Sequence, residues 1–189
     1  MDKKTIREQY LLKRRLLTTE EINAQSEIIS KRLLDFLSIR PEIRHIHIFL
    51  PIKRFNEVNT FPLFERLQGS GYHLYTSEVN KLEDTLDTFE ISEVKEFKLN
   101  SWGIPFPIGA VKVEPDKIQL VLIPLLAFDK KGYRIGYGKG YYDKFLSKIA
   151  DSVWKVGLTF FPPENILPAE SHDIGLNYCI TPEKIHVFE

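Results

Sequence analysis

The sequence predicts a single α/β domain with three α/β/α layers around a largely parallel sheet, and three observations lead there. Segments of strand composition alternate with segments of helical spacing along the chain. One of them, Leu120-Val121-Leu122-Ile123-Pro124-Leu125-Leu126, is almost continuously apolar, as expected of a central strand covered on both faces. A length of 189 residues with 43% hydrophobic side chains suits one core, and no linker, repeat or low-complexity stretch separates a second unit.

The elements follow in order. Ile6, Tyr10, Leu11, Leu12, Leu16 and Leu17, set among Lys and Arg, have the spacing of an amphipathic helix over 3–17 with a strongly basic outer face. Thr18 with Glu21 forms a capping-box pattern, and Ile22, Ile28, Ile29, Leu33, Leu34, Phe36 and Leu37 continue a second helix to about Ser38. Residues 46–50 are β-rich and stop at Pro51, so a strand leads into a loop. Thr60 is expected to cap a short helix through Leu67, closed by Gly69 and Gly71. Strands are expected at 72–75 and 86–91, whereas Trp102-Gly103-Ile104-Pro105-Phe106-Pro107 is too rich in Pro and Gly for a regular element. After the central strand come a Gly-rich turn, a helix over 141–149, and strands at 153–160 and 185–188.

Composition narrows the partners. With 26 basic against 26 acidic residues, no net field is available to hold nucleic acid or an anionic membrane, so small molecules are the expected ligands. No stretch approaches the roughly 18 apolar residues of a membrane span, and the start MDKKTIREQY is charged, so a cytoplasmic location is expected. Cys179 has no second cysteine to pair with and is expected to be buried packing. The histidines at 45, 47, 73, 172 and 186 show no metal-ligand spacing on a helix; His45, His47, His73 and His186 are expected to be structural.

The run from Phe128 to Asp143, FDKKGYRIGYGKGYYD, lies between the buried strand and the next helix. Loops leaving the carboxyl ends of parallel strands line the ligand crevice, and a helix starting there offers free N–H groups to an anion. The alternate glycines Gly136, Gly138 and Gly140 let backbone approach a phosphate. Arg134 adds a fork of donors and Lys139 a mobile point charge. A tight turn alone would need one or two glycines and would gain nothing from a third plus two cations. Neither a Walker loop, which needs Ser or Thr after Lys139, nor a dinucleotide pattern, where Tyr141 stands in the last glycine position, fits.

That run resembles the signature of the 5-formyltetrahydrofolate cyclo-ligases, FD-x-x-G-x-R-x-G-x-G-x-G-Y-Y-D, with every fixed position filled. Lys3 and Arg7 resemble the family's N-terminal basic pair, Glu57-Val58-Asn59-Thr60 its E-V-x-T, and Leu167-Pro168 through His172-Asp173 its L-P…H-D. The resemblance implies a Rossmann-like layered fold of the kind shared with sugar-phosphate isomerases and CoA-transferases. It also implies an ATP-driven reaction that closes the formyl group of 5-formyltetrahydrofolate into the 5,10-methenyl form. By similarity, Lys3, Arg7, Arg134, Gly136, Tyr137, Gly138, Lys139, Gly140, Tyr141 and Tyr142 hold ATP, with Arg134 and Lys139 acting on the transferred phosphate. Asp143 and Asp173 are implied as Mg²⁺ ligands, and Leu50, Glu57, Trp102, Tyr137 and Tyr141 as the folate contacts. His172 is left to shape the loop that carries Asp173.

Read from spacing alone, Lys3 and Arg7 form a solvated surface, Asp143 is a helix-start charge, Glu57 an exposed acid, and Trp102 packs beside proline. The chain departs from the family pattern in a longer loop between Leu50 and Glu57 and in Pro162-Pro163, where many relatives carry a glutamine. A sugar-phosphate isomerase or CoA-transferase relative, and a non-catalytic nucleotide or folate binder, are the rival functions on this fold. A monomer is expected, since no long apolar surface stripe is left over.

Overall fold

The computed structural model describes residues 1–100 and 103–188. The N-terminal helices are α1 (Lys3–Arg15) and α2 (Thr19–Ser38), and α2 begins on the expected capping box, in which the Thr18 hydroxyl and the Glu21 carboxylate each accept the other residue's backbone N–H. Strand β1 (His45–His47) leads through a loop to α3 (Phe61–Gly69), followed by the hairpin of β2 (His73–Asn80) and β3 (Thr85–Glu90). Then come β4 (Phe97–Leu99), β5 (Pro105–Pro107), β6 (Val111–Val113) and the central β7 (Leu120–Pro124). A two-residue pair, β8 (Ala127–Phe128) and β9 (Arg134–Ile135), frames the glycine-rich turn before α4 (Tyr141–Leu146), and β10 (Trp154–Leu158), β11 (Tyr178–Ile180) and β12 (Ile185–Val187) complete the chain.

An eight-stranded sheet runs β12-β11-β10-β7-β1-β2-β3-β6. The five strands from β11 to β2 are mutually parallel; β12, β3 and β6 join antiparallel at the margins. Alternation along β7 separates two cores. Leu120 and Leu122 face a cluster with Ile29, Leu33 and Phe36 of α2 and Leu63 and Leu67 of α3, while Val121 and Ile123 face Phe145 and Leu146 of α4. A third cluster joins Ile6 and Tyr10 of α1 to Leu126, Ala127, Ile135 and Leu167, beyond the carboxyl end of β7.

Several expectations are corrected, while Cys179 is buried as expected. Pro105–Pro107 is a strand paired with Phe97–Leu99, because a short two-stranded ribbon demands few ladder bonds from proline. Thr60 precedes α3 but makes no side-chain cap; its hydroxyl donates to the Phe49 carbonyl (2.6 Å) and closes the loop after β1 instead. Leu12 and Leu16, read as part of the apolar stripe of α1, are exposed, and part of the basic set turns inward: Arg14 is 1% exposed, while Lys4, Lys13 and Arg15 keep the basic outer face. Cys179 is fully buried, and burial pushes its thiol pKa up, away from reactivity. His47 is buried, held neutral with a pKa lowered to about 3 by desolvation, and shares a hydrogen bond with Ser77 (2.8 Å); His45 stacks on His73.

Candidate active site

Segments leaving β1, β7 and β10 meet at the carboxyl edge of the sheet, and α1 lies across them. The segment after β1 carries Leu50 and Glu57. Glu57 is buried; its Oε2 accepts the Ile52 N–H (2.6 Å), so the carboxylate folds its own loop back toward Leu50. Together with the Thr60–Phe49 bond, this explains why an acid and a threonine stand three residues apart: both brace one loop.

The segment after β7 is organised by Asp129, which is fully buried. Its Oδ1 accepts the N–H groups of Lys131 (2.9 Å) and Tyr133 (3.0 Å), and its Oδ2 accepts that of Leu167 (2.9 Å). A carboxylate so satisfied bends the chain into the β8–β9 hairpin and pins the β10 segment beside it. The glycine turn follows. Gly138 and Gly140 have φ of +88° and +69°, conformations that L side chains resist. A Cβ on Gly138 would stand 2.9 Å from Cζ of Arg7, whose Nε donates to the Gly136 carbonyl (3.0 Å). Arg7 therefore lies flat across the turn. Lys139 and Gly140 form its exposed tip, and Tyr141 and Asp84 of the β2–β3 hairpin interact at its margin.

Both carboxylates singled out as metal ligands engage cations singled out for the nucleotide. Arg134, its side chain 6% exposed, donates to Asp143 Oδ1 (2.8 Å) and to the Ile174 carbonyl, and the Ile174 N–H donates back to the same Asp143 oxygen (3.1 Å). Lys3 Nζ donates to Asp173 Oδ2 (2.6 Å), which also accepts the Glu170 N–H (2.8 Å). Partial burial pushes Asp173 upward, but Lys3 and that N–H outweigh it and hold the carboxyl below the usual range. Each aspartate commits one oxygen to these bonds and leaves the second outside them. Glu170, His172 and Asp173 also lie close enough to share an ion.

Tyr137 joins the two halves of the site. Its ring stacks on Phe55 (4.8 Å between centroids), and its hydroxyl donates to Glu57 Oε1 (2.5 Å) while accepting from Arg14 Nη1 (2.8 Å). Burial raises Glu57 above the ordinary carboxylate range; Arg14, the Ile52 N–H and the Tyr137 hydroxyl pull against it. Tyr142 turns the other way, packing against the α4 core near His47. Trp102 lies outside the described residues.

Sequence reasoning missed Arg14, Asn56 and the Tyr10–Glu164 bond (2.6 Å) that ties α1 to the β10 segment beside Pro162 and Pro163. A signal existed for the first: Lys3, Arg7, Tyr10 and Arg14 follow one helical stripe at steps of four, three and four.

A family model described as 5-formyltetrahydrofolate cyclo-ligase matches residues 1–182. A 5-formyltetrahydrofolate cyclo-ligase of Mycoplasma pneumoniae is 32% identical over 184 residues, covering 97% of this chain and 100% of the relative; one of Escherichia coli K12 is 26% identical over 181 residues, covering 92% and 96%. Among solved structures, a 5,10-methenyltetrahydrofolate synthetase from Mycoplasma pneumoniae superposes with a TM-score of 0.77 at 30% identity, covering 95% of this chain and 98% of that one. One from Aquifex aeolicus gives 0.84 at 27%, covering 100% and 94%.

Proposed function

The chain belongs to the 5-formyltetrahydrofolate cyclo-ligase family, and from that premise we propose how its crevice performs the family reaction, the ATP-dependent conversion of 5-formyltetrahydrofolate to 5,10-methenyltetrahydrofolate. The whole chain is read as one catalytic domain that acts on small molecules. No described helix is long and apolar enough to cross a membrane; a cytoplasmic monomer is the accompanying proposal.

The chemistry explains the need for ATP. A formyl oxygen bound to an amide-like carbon is a poor leaving group. Transfer of the γ-phosphoryl group to that oxygen releases ADP and turns the oxygen into phosphate; nitrogen-10 then attacks the activated carbon, the C–O bond breaks, and inorganic phosphate departs. Such a transfer needs positioning and neutralised charge rather than a protein nucleophile. The backbone of Gly136, Gly138 and Gly140 would approach the phosphates, Lys139 at the exposed tip would follow the moving group, and Lys3 and Arg7 would add charge from α1. Arg134 is read as acting from beneath, since its guanidinium already holds Asp143 and Ile174. Tyr141 would flank the nucleotide, Tyr142 would support the turn from the α4 core, and Leu50, Glu57 and Tyr137 would line the folate side.

The donor set suits Mg²⁺: Asp143 accepts the Ile174 N–H and Asp173 precedes Ile174 in the chain, each with a second oxygen outside its protein bonds, and a hard ion bound mainly by phosphate and water needs only one or two carboxylates. When bound there, the ion would neutralise phosphate charge. Asp143 and Asp173 would hold it, with Lys3 and Arg134 keeping both side chains in place.

The observation that carries this reading is the Arg7–Gly136–Gly138 junction, which sets a cation on a turn with open space beside Gly136 and Gly140, and whose Tyr137 is bonded to Glu57. The test follows the methenyl chromophore with ATP, Mg²⁺ and 5-formyltetrahydrofolate, omitting each in turn. Product and ADP should appear in equal amounts only with the complete mixture; ADP release without the folate, or product without ATP, would contradict it.

A further inference from the structure

Arg14 stands where the parts of the site join. Its side chain is buried to 1% exposure at the end of α1, yet among the described residues no carboxylate lies within ion-pair distance of it. Nη2 donates to the carbonyl of Leu125, the first residue past β7 (2.5 Å), Nη1 donates to the Tyr137 hydroxyl (2.8 Å), and Nε is buried with no hydrogen-bond partner. Its backbone carbonyl accepts from Asn56 Nδ2 (2.9 Å), next to Glu57.

A buried arginine without a direct counter-charge is costly, and an apolar side chain would fill the same space at less expense. Its link to a carboxylate runs through the Tyr137 hydroxyl. An arginine can only donate, so this hydroxyl must accept from Arg14 and spend its one proton on Glu57 Oε1. The order Arg14 to Tyr137 to Glu57 is therefore fixed, and each bond strengthens the next in a site of low dielectric.

We propose that Arg14 is a positioning residue of the reaction: through the Tyr137 hydroxyl it fixes the Glu57 carboxylate as a charged acceptor toward the folate, and through Leu125 and Asn56 it locks that carboxylate to the turn that carries the nucleotide. This rests on the reading of Glu57 as a folate contact. The charged or titratable groups facing Glu57 are Arg14 from α1, Tyr137 from the glycine turn and, electrostatically, Tyr142 from α4. Removing Arg14 takes away the largest influence opposing the burial of Glu57, so its carboxylate should hold a proton to higher pH.

Two measurements on the full-length protein test this: the pH profile of kcat/KM for 5-formyltetrahydrofolate, and a ¹³C NMR titration of the Glu57 carboxyl, assigned by its disappearance in Glu57→Gln. In Arg14→Met and in Tyr137→Phe, the acid limb and the NMR midpoint should both move to higher pH. The neutral-pH kcat/KM should fall about tenfold, as expected for one charge-assisted hydrogen bond, and Arg14→Lys should recover part of the loss. Tyr137→Phe keeps the ring against Phe55 and guards against a misfolded Arg14→Met. A midpoint at the wild-type pH in folded Tyr137→Phe and Arg14→Met would leave Arg14 as mere packing and overturn the proposal. Because the NMR titration needs no turnover, it stands apart from the activity reading, which fails if wild type forms no methenyl product, and from the folate role of Glu57, which fails if Glu57→Gln keeps wild-type kcat/KM.

Discussion

At the scale of residues, the glycine turn divides its labour by exposure. Lys139 is exposed at the tip, with Asp84 nearby, whereas Arg134 is spent beneath it on Asp143 and Ile174. Lys139→Ala should lower kcat/KM about 100-fold with unchanged circular dichroism, as removal of one preorganised charge from a transferring group does. Gly138→Ala should be worse for ATP than for the folate. Its backbone is left-handed, at a cost of about 1–2 kcal/mol for an L side chain, and the new Cβ would push Arg7 off the turn; a KM for ATP like that of wild type would contradict this. Glu57 gives a prediction of opposite sign for stability. Its carboxyl binds protons more tightly folded than unfolded, so as pH rises from 4.5 through the raised value its ionisation erodes stability. Glu57→Gln should melt higher than wild type near neutral pH, with the gap closing in acid, while kcat/KM falls; a lower melting temperature at neutral pH would refute the sign. The glycine turn was legible in the sequence because a backbone of positive φ, which Gly138 and Gly140 adopt, calls for glycine at those positions. Arg14 was not, because a basic residue at a helix end looks the same whether solvent or a buried phenol receives it.

At the scale of elements, α1 is the component least legible in advance. Its basic stripe turns inward, so a helix that reads as a solvated face becomes a brace for the glycine turn, the Asp173 loop and Glu57. Helix α2, by contrast, largely follows its sequence, since local hydrogen bonds decide its start and Ile29, Leu33, Phe36 and Leu37 its packing, although Ile28, read as part of that stripe, is exposed and Ser26 and Ser30 are buried instead. The short strands β8 and β9 escaped notice because two residues carry no periodicity; a buried aspartate makes them. Asp129→Ala should destabilise the fold by about 2–4 kcal/mol by stranding the N–H groups of Lys131, Tyr133 and Leu167. Urea unfolding would read this, and a loss below about 0.5 kcal/mol, typical of a surface change, would show that these bonds do not organise the turn. Asp143→Asn should raise the Mg²⁺ concentration for half-maximal rate, and an unaltered magnesium titration would count against its role as a ligand.

At the scale of the molecule, five parallel strands place their carboxyl ends side by side, so segments distant in sequence, around residues 57, 137 and 173, meet above β1, β7 and β10. The alternation of strands and helices announced that topology, and the apolar run at 120–126 announced its centre. The pairing of metal-type carboxylates with nucleotide-type cations was beyond sequence, because it depends on how the segment after β10 folds back onto α1 and α4. The most direct test of the whole arrangement is a crystal structure with a non-hydrolysable ATP analogue, Mg²⁺ and 5-formyltetrahydrofolate. The account predicts the terminal phosphate on the backbone of residues 136–140 beside Lys139, with the formyl oxygen facing it and the folate against Glu57. A nucleotide bound elsewhere, with that turn facing solvent, would contradict it.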